Sequence, residues 1–268
     1  MMAIDDVIRK TLYTSSPEQW DFRYDLVHAG NGTWRFKFQV TPHQETPGEW
    51  EVGFRLPGTD VHFFWHPNVG RDLRLRNVWE DDVPTMTSVG APVFCLLDGN
   101  GENRLTVAGS ETKKPLCWCV SEEEESAGFV VRVRYPADCF AKGQVWKSEW
   151  MLDERTVSLP RVLRTVQLYW EEECGKTPME TPPQALESVY STWYSYHQYV
   201  TAEAVEKECR LASVLGMKTV ILDDGWQTGN ETRGYEYCGD WDVYEPKFPD
   251  MKAHVQRVHD MGMKYVVW

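Results

Sequence analysis

Asp223 and Asp224 stand side by side in TVILDDGWQ (Thr219 to Gln227), where a short apolar run gives way to Gly225 and Trp226. Two adjacent acids suggest acid/base catalysis, but their spacing argues against it. Carboxyl pairs that cleave a glycosidic bond stand about 5–5.5 Å apart across it when configuration is retained, and wider when it inverts. Consecutive residues share one backbone corner and cannot easily flank a bond from both sides. An ionised pair instead accepts hydrogen bonds and donates none, which suits a ligand rich in hydroxyl donors, such as a hexose. Two other readings stay open: the acids cap a loop, or they hold a metal. No His or third acid falls at a spacing that would complete a metal site.

The pair must be positioned by a strand and the helices packed on it. A helix is expected from near Thr201, with Val205, Cys209, Ala212 and Leu215 at helical spacing and Gly216 ending it. A second follows KFPD, with Met251, Val255, Val258 and Met261 on one face and Gly262 at its end. GMKTVIL (from Gly216) and GMKYVVW (from Gly262) repeat one pattern, a helix-ending Gly, a Lys and a buried strand. SVYSTWYSYH reads as the strand before them. Near-continuous apolar strands alternating with helices indicate a parallel α/β sheet, doubly wound or a (β/α)8 barrel. Its strands present ligand-facing side chains at their C-terminal ends, where Asp223 and Asp224 sit. The long segment from Asp223 to about Pro249 fits a functional loop at that edge.

Upstream the period changes. TWRFKFQV (Thr33 to Val40), EWEVGFRL (Glu49 to Leu56), FVVRVRY (Phe129 to Tyr135), QVWKSEWML (Gln144 to Leu152) and RVLRTVQLYW (Arg161 to Trp170) alternate, and turn signals such as GNGT and YPAD separate them. No long helical pattern is read here, and an antiparallel β-sandwich is expected over 1–180. The Pro- and charge-rich stretch Glu171 to Ser188 reads as a linker to a second domain, 181–268.

A net charge of -13 and a pI near 5.0 over 268 residues argue against nucleic acid as a partner, because no basic surface is available to displace counterions. No apolar run approaches the ~20 residues that span a bilayer, and the N-terminal stretch lacks a secretory core. Seven cysteines without a small-scaffold spacing read as free thiols in a reducing cytosol, so a cytoplasmic protein is expected. Cys117 and Cys119 in CWC have no second ligand pair and read as strand residues sharing a face. The run Ser121 to Ser126 reads as a solvated turn. Thirteen tryptophans are many for this length, and both cores and sugar clefts use indole faces.

STWYSYH, ILDDGWQ, CGDWDVYEPKFPD and HDMGMKYVVW, in this order and spacing, resemble glycoside hydrolase family 36, the α-galactosidases and raffinose-synthase-like enzymes. The likeness covers about 80 residues and extends in size and character to the β-rich region before them. It implies an N-terminal β-sandwich followed by strands 1–3 of a (β/α)8 barrel, and a retaining α-galactosidase with no cofactor and no metal. It also implies that Asp223 and Asp224 bind the 4- and 6-hydroxyls of a galactose-like ring. Trp193 and Tyr194, taken to end strand one, would line the pocket. Trp268, ending strand three, would pack against the sugar, and Trp241 on the long loop is a further candidate. Trp65 or Trp79 would be the tryptophan that the N-terminal domain brings near the site. The family's nucleophile and acid/base would fall beyond Trp268, so the barrel portion reads as incomplete and 1–268 alone as inactive. Expected partners are a galactose-containing oligosaccharide and further copies of the chain through the open edge of strand three, with no nucleic acid and no membrane. The alternatives are a galactosyl transglycosylase of the same family and a non-catalytic carbohydrate-binding protein.

Overall fold

In the computed structural model, residues 3–67, 78–80, 85–86, 89–125, 127–230 and 241–268 are described, with the side chains of 78–80 excepted. The chain divides into two compact units, Met1–Pro178 and Met179–Trp268.

The first unit is β-rich and its named sheets are antiparallel throughout. In chain order it holds helix α1 (Ile4–Thr11) and strands β1 (Tyr13–Thr14), β2 (Trp20–Gly30), β3 (Thr33–Pro42), β4 (Trp50–Pro57), β5 (Phe63–Trp65), β6 (Val78–Glu80), β7 (Val93–Leu97), β8 (Asn103–Gly109), β9 (Cys117–Glu123), β10 (Gly128–Tyr135) and β11 (Trp146–Asp153), then helix α2 (Leu159–Leu168). The strands form two sheets, ordered β1-β4-β10-β9-β6 and β2-β3-β11-β8-β7-β5. Alternation aims one face of each sheet into a shared core of Trp20, Phe36, Phe38, Trp50, Trp118, Tyr135 and Trp150. Trp20, Trp50, Trp118 and Trp150 are therefore core residues. The indole N–H of Trp150 donates to the Tyr135 hydroxyl at 2.9 Å, so that polar atom is satisfied without water.

Arg161 to Trp170, expected as a strand, is instead helix α2 with a π-type turn continuing to Glu173. Its buried residues Val162, Val166 and Tyr169 are spaced four and three apart, one helical face. Pro160 near the helix start is tolerated because the first N–H groups have no intrahelical partner. The helix covers the outer face of the second sheet at Val93, Ala108 and Met151, which buries β7 on both faces. The acidic run is also not wholly a turn, because Ser121 to Glu123 finish β9, Glu124 and Glu125 turn, and Ser126 lies outside the described residues. In CWC, Trp118 and Cys119 are buried and Cys117 is half-buried.

The second unit holds three parallel strands, β12 (Val189–Ser191), β13 (Thr219–Leu222) and β14 (Lys264–Val267), with β13 in the middle. Helices α3 (Trp193–Tyr196), α4 (Ala202–Val214) and α5 (Met251–Asp260) connect them. Thr201 and Asp250 cap α4 and α5, accepting from the N–H groups of Ala204 and Ala253. Gly216 and Gly262 end both helices at positive φ, and the next residue, Met217 or Met263, donates back to the carbonyl five residues earlier. The two GMK stretches are thus the same helix stop feeding a strand. Val205, Cys209 and Ala212 of α4 and Val258 of α5 pack on Val220 and Leu222. Two expected face positions differ. Leu215 follows the last helical residue and is exposed, and on α5 the fully buried positions are His254 and Val258, with Val255 only half-buried.

The expected first strand is also shorter. It stops at Ser191, and Trp193 and Tyr194 lie in the helical turn α3, where neither ends a strand. The Thr192 side chain diverts the chain, since its hydroxyl oxygen accepts from the Asp223 N–H at 3.0 Å while its own N–H donates to Ile221.

Candidate functional site

Parallel register brings the C-terminal ends of the three strands to one edge. The N–H of Thr192 donates to the Ile221 carbonyl at 3.1 Å and that of Trp268 to Leu222 at 3.0 Å, so both flank the start of DDGW. The strand ends at Leu222, whose side chain is buried, and strict alternation would turn Asp223 to the opposite face.

The two acids have different environments. Asp223 is half-buried, and its Oδ1 accepts from the Asp224 N–H at 2.8 Å. Asp224 is fully buried. Its Oδ2 accepts from the Gln198 amide at 2.7 Å, and its Oδ1 from the Gln227 amide at 2.9 Å and the Gly225 N–H at 2.8 Å.

The loop after the pair is drawn tightly against the segment after α3. Gly225 has φ +101°, and a Cβ there would stand 2.4 Å from Gln198 Cα. The buried Lys247 ammonium donates to the Gln198 carbonyl at 2.7 Å and the Gly225 carbonyl at 3.0 Å. Trp226 is buried, donates its indole N–H to the Trp268 carbonyl at 3.1 Å, and meets the Trp241 ring edge-on at 5.8 Å.

The six sequence candidates therefore fall into groups. Asp223, Asp224 and Trp268 share one edge, and Trp241 joins it through Trp226. Trp241 and Trp268 are each about half exposed, at 52% and 51%, leaving ring surface uncovered. Trp193 stacks edge-on with His197 at 4.9 Å. Tyr194 is 90% exposed, with nothing among the described residues holding its ring at the edge. Asp240 lies outside the described residues and Asp242 is exposed. Trp65 sits half-buried on β5 against the outer-face clusters of the first unit. Trp79 is on β6, its side chain outside the described set. Among the described residues no group of three His, Cys, Asp or Glu side chains suits a metal ion, and no helix is long and apolar enough to cross a membrane.

Thr192 and Lys247 lie within STWYSYH and CGDWDVYEPKFPD, but neither they nor Gln198 stand out as site residues in the sequence. Beneath the edge, α4 and α5 are tied by His254, also unforeseen. The ring is fully buried, with Nδ1 at 2.8 Å from the Glu206 carboxylate and Nε2 at 2.9 Å from the Tyr265 hydroxyl. Burial depresses the His254 pKa despite the Glu206 bond, so the ring is neutral, with Nδ1–H donating and Nε2 accepting. Burial would raise the Glu206 pKa, but hydrogen bonds from Arg257 and His254 overcome it and hold the group below the usual carboxylate range.

The chain resembles sugar-cleaving enzymes. No protein-family model matches it. It is 33% identical to α-galactosidase Mel36A of Lactobacillus acidophilus over 79 residues, 29% of this chain and 10% of that one. It is 30% identical to the α-galactosidase of Escherichia coli over 90 residues, 32% of this chain and 12% of the relative. In fold it resembles a variant of a family 36 α-galactosidase, AgaA of Geobacillus stearothermophilus, solved with 1-deoxygalactonojirimycin. The TM-score is 0.56 at 14% identity, over 93% of this chain and 38% of that one. Variants of that enzyme have also been solved with raffinose and with stachyose. The chain thus spans well under half the length of these proteins. These relatives and structural neighbours belong to one class, the glycoside hydrolases. Within it, the chain resembles the N-terminal region of family 36 α-galactosidases.

Proposed function

We propose that the chain carries the galactose-recognition corner of a retaining α-galactosidase acting on galactosyl oligosaccharides. On this reading the first unit, about 1–180, is the N-terminal β-sandwich domain, and β12, β13 and β14 are strands 1–3 of a (β/α)8 barrel. Recognition rests on one observation. Asp223 leaves the end of the central parallel strand with Oδ2 unused by any described bond, on a turn held by buried polar contacts, beside the half-exposed Trp268. A carboxylate fixed in this way discriminates among hydroxyl configurations, and an indole face beside it takes the apolar face of a pyranose. Asp224 already accepts three N–H bonds. It orients the turn, and reaches a sugar hydroxyl when Gln198 or Gln227 yields.

Neither acid is proposed to break a bond. Cleavage needs one carboxyl on each side of the glycosidic oxygen, whereas Asp223 and Asp224 leave a single strand end. Residues 1–268 are therefore proposed to bind galactosides without hydrolysing them. The test is titration of the chain with methyl α-galactoside and its C4 epimer, methyl α-glucoside, followed by NMR. The galactoside should bind more tightly, and Asp223→Ala should abolish the preference. Equal binding of the two epimers, or an unchanged preference in Asp223→Ala, would reject recognition. Release of aryl alcohol from an activated aryl α-galactoside that disappears in Asp223→Ala would instead make Asp223 catalytic.

A further inference from the structure

We propose that Lys247 is a positioning residue for the recognition turn, acting through Gln198 and Gly225. The proposal rests on the galactose-recognition reading above, and goes beyond it by naming what sets the geometry of the acids. Lys247 belongs to the turn before α5, twenty-two residues from Gly225, yet its ammonium is buried and donates to two carbonyls from separate segments. Its own carbonyl accepts the N–H of Ala202, the first residue of α4. One residue thus joins the segment after α3, the DDGW turn and the start of α4.

Both arms of this joint lead to Asp224. Through the Gly225 carbonyl, Lys247 anchors the residue whose own N–H donates to Asp224 Oδ1. Through Gln198, it holds the backbone whose side-chain amide donates to Asp224 Oδ2. Asp224 in turn donates its N–H to Asp223 Oδ1, so the half-buried acid inherits its direction from this frame. Gly225 permits the approach, because any side chain there would meet the Gln198 backbone. An ammonium supplies several donors radiating from one point, which is what two converging carbonyls need. A thioether of similar length, as in Lys247→Met, fills the space and removes both of these hydrogen bonds.

The experiment compares wild type, Lys247→Met and Lys247→Gln as the 268-residue chain. The readouts are the side-chain amide resonances of Gln198 and Gln227, and the affinities for methyl α-galactoside and methyl α-glucoside. Lys247→Met should shift both Gln amide resonances and weaken galactoside binding about tenfold or more, as small misplacements of a binding group do. Weak glucoside binding should stay unchanged. Lys247→Gln, which keeps a donor to one carbonyl, should fall between. If Lys247→Met does not fold, Lys247→Gln decides by the same criteria. A folded variant that loses stability but keeps the wild-type ratio of the two affinities makes Lys247 purely structural and overturns the proposal. Should wild type prefer neither sugar, the recognition reading fails by itself. The Gln resonances then judge the joint, and unchanged resonances in the variant refute it.

Discussion

Replacing Gly225 by Ala separates local conformation from packing at the recognition turn. Two costs arise. At φ +101° an L side chain is strained, and sparsely populated backbone regions cost about 1–3 kcal/mol. The new Cβ would also lie 2.4 Å from Gln198 Cα and 2.5 Å from its carbonyl oxygen. These are backbone atoms, so no side-chain rotation relieves the clash, and forced overpacking adds about 1–3 kcal/mol. Together they predict a loss of about 3 kcal/mol or more for the second unit. Gly216 is the control, because its φ is +86° and its Cβ would meet nothing within 4 Å. Gly216→Ala should therefore cost only the left-handed penalty, about 1–2 kcal/mol. Amide exchange of Val220 to Leu222 under increasing urea measures both. Since Gly225 must retreat from Gln198, the galactoside preference should fall in Gly225→Ala and persist in Gly216→Ala. Equal destabilisation by the two substitutions would refute the close backbone approach on which the joint depends.

The neighbouring acids should respond differently to the same change. Asp224→Asn turns one buried acceptor into a donor facing other donors, and should cost about 1–3 kcal/mol in urea unfolding. Asp223→Asn keeps an acceptor for the Asp224 N–H, and should stay within about 0.5 kcal/mol of wild type while losing the galactoside preference. Equal stability losses would show that Asp224 is not the buried partner described. A third expectation concerns pH. His254 is neutral in the fold, with its pKa below the ordinary 6.5, so the unfolded chain binds the extra proton first. Its contribution is fully present above about pH 6.5 and is lost as pH falls through the depressed value. The groups facing it are the Glu206 carboxylate, the Tyr265 hydroxyl and, through Glu206, Arg257. Stability of the second unit should decline from pH 7 towards 5, and His254→Gln should flatten the decline. An unchanged slope in that variant would place the titration elsewhere.

What could be read beforehand follows from the range of the forces involved. Strands β3, β4, β10 and β11 were visible because alternation is written along a single strand, and each lies within two residues of its expected ends. Helices α4 and α5 were visible through caps, apolar spacing and a terminal Gly, which are also local. Helix α2 was misread because its apolar residues cluster as VL and LYW around a lone Val166, mixing both periods. The deciding fact, an outer sheet face at Val93, Ala108 and Met151 needing cover, belongs to residues distant in sequence. Likewise STWYSYH looks extended by composition. The diversion at Thr192 depends on the Asp223 N–H and the Ile221 carbonyl of another strand.

The candidate site divides the same way. The double acid stood out because acids rarely follow an apolar strand without purpose, and its place at the strand end follows from local pattern. Which acid would be buried did not, since that depends on Gln198, Gln227 and Gly225 closing over one side chain. Gln198 and Lys247 look like ordinary surface residues in the sequence, and a buried Lys is uncommon without a partner. Here the partners are two carbonyls left without strand or helix mates where the chain turns, and only the assembled fold brings them together. Polar groups of this kind cannot be left dry, and the cheapest remedy is one long flexible donor reaching in from another segment. An acid pair at the end of a parallel strand, turned sharply by a Gly, therefore creates a need for such a donor. In this chain Lys247 meets it, twenty-three residues after Asp224.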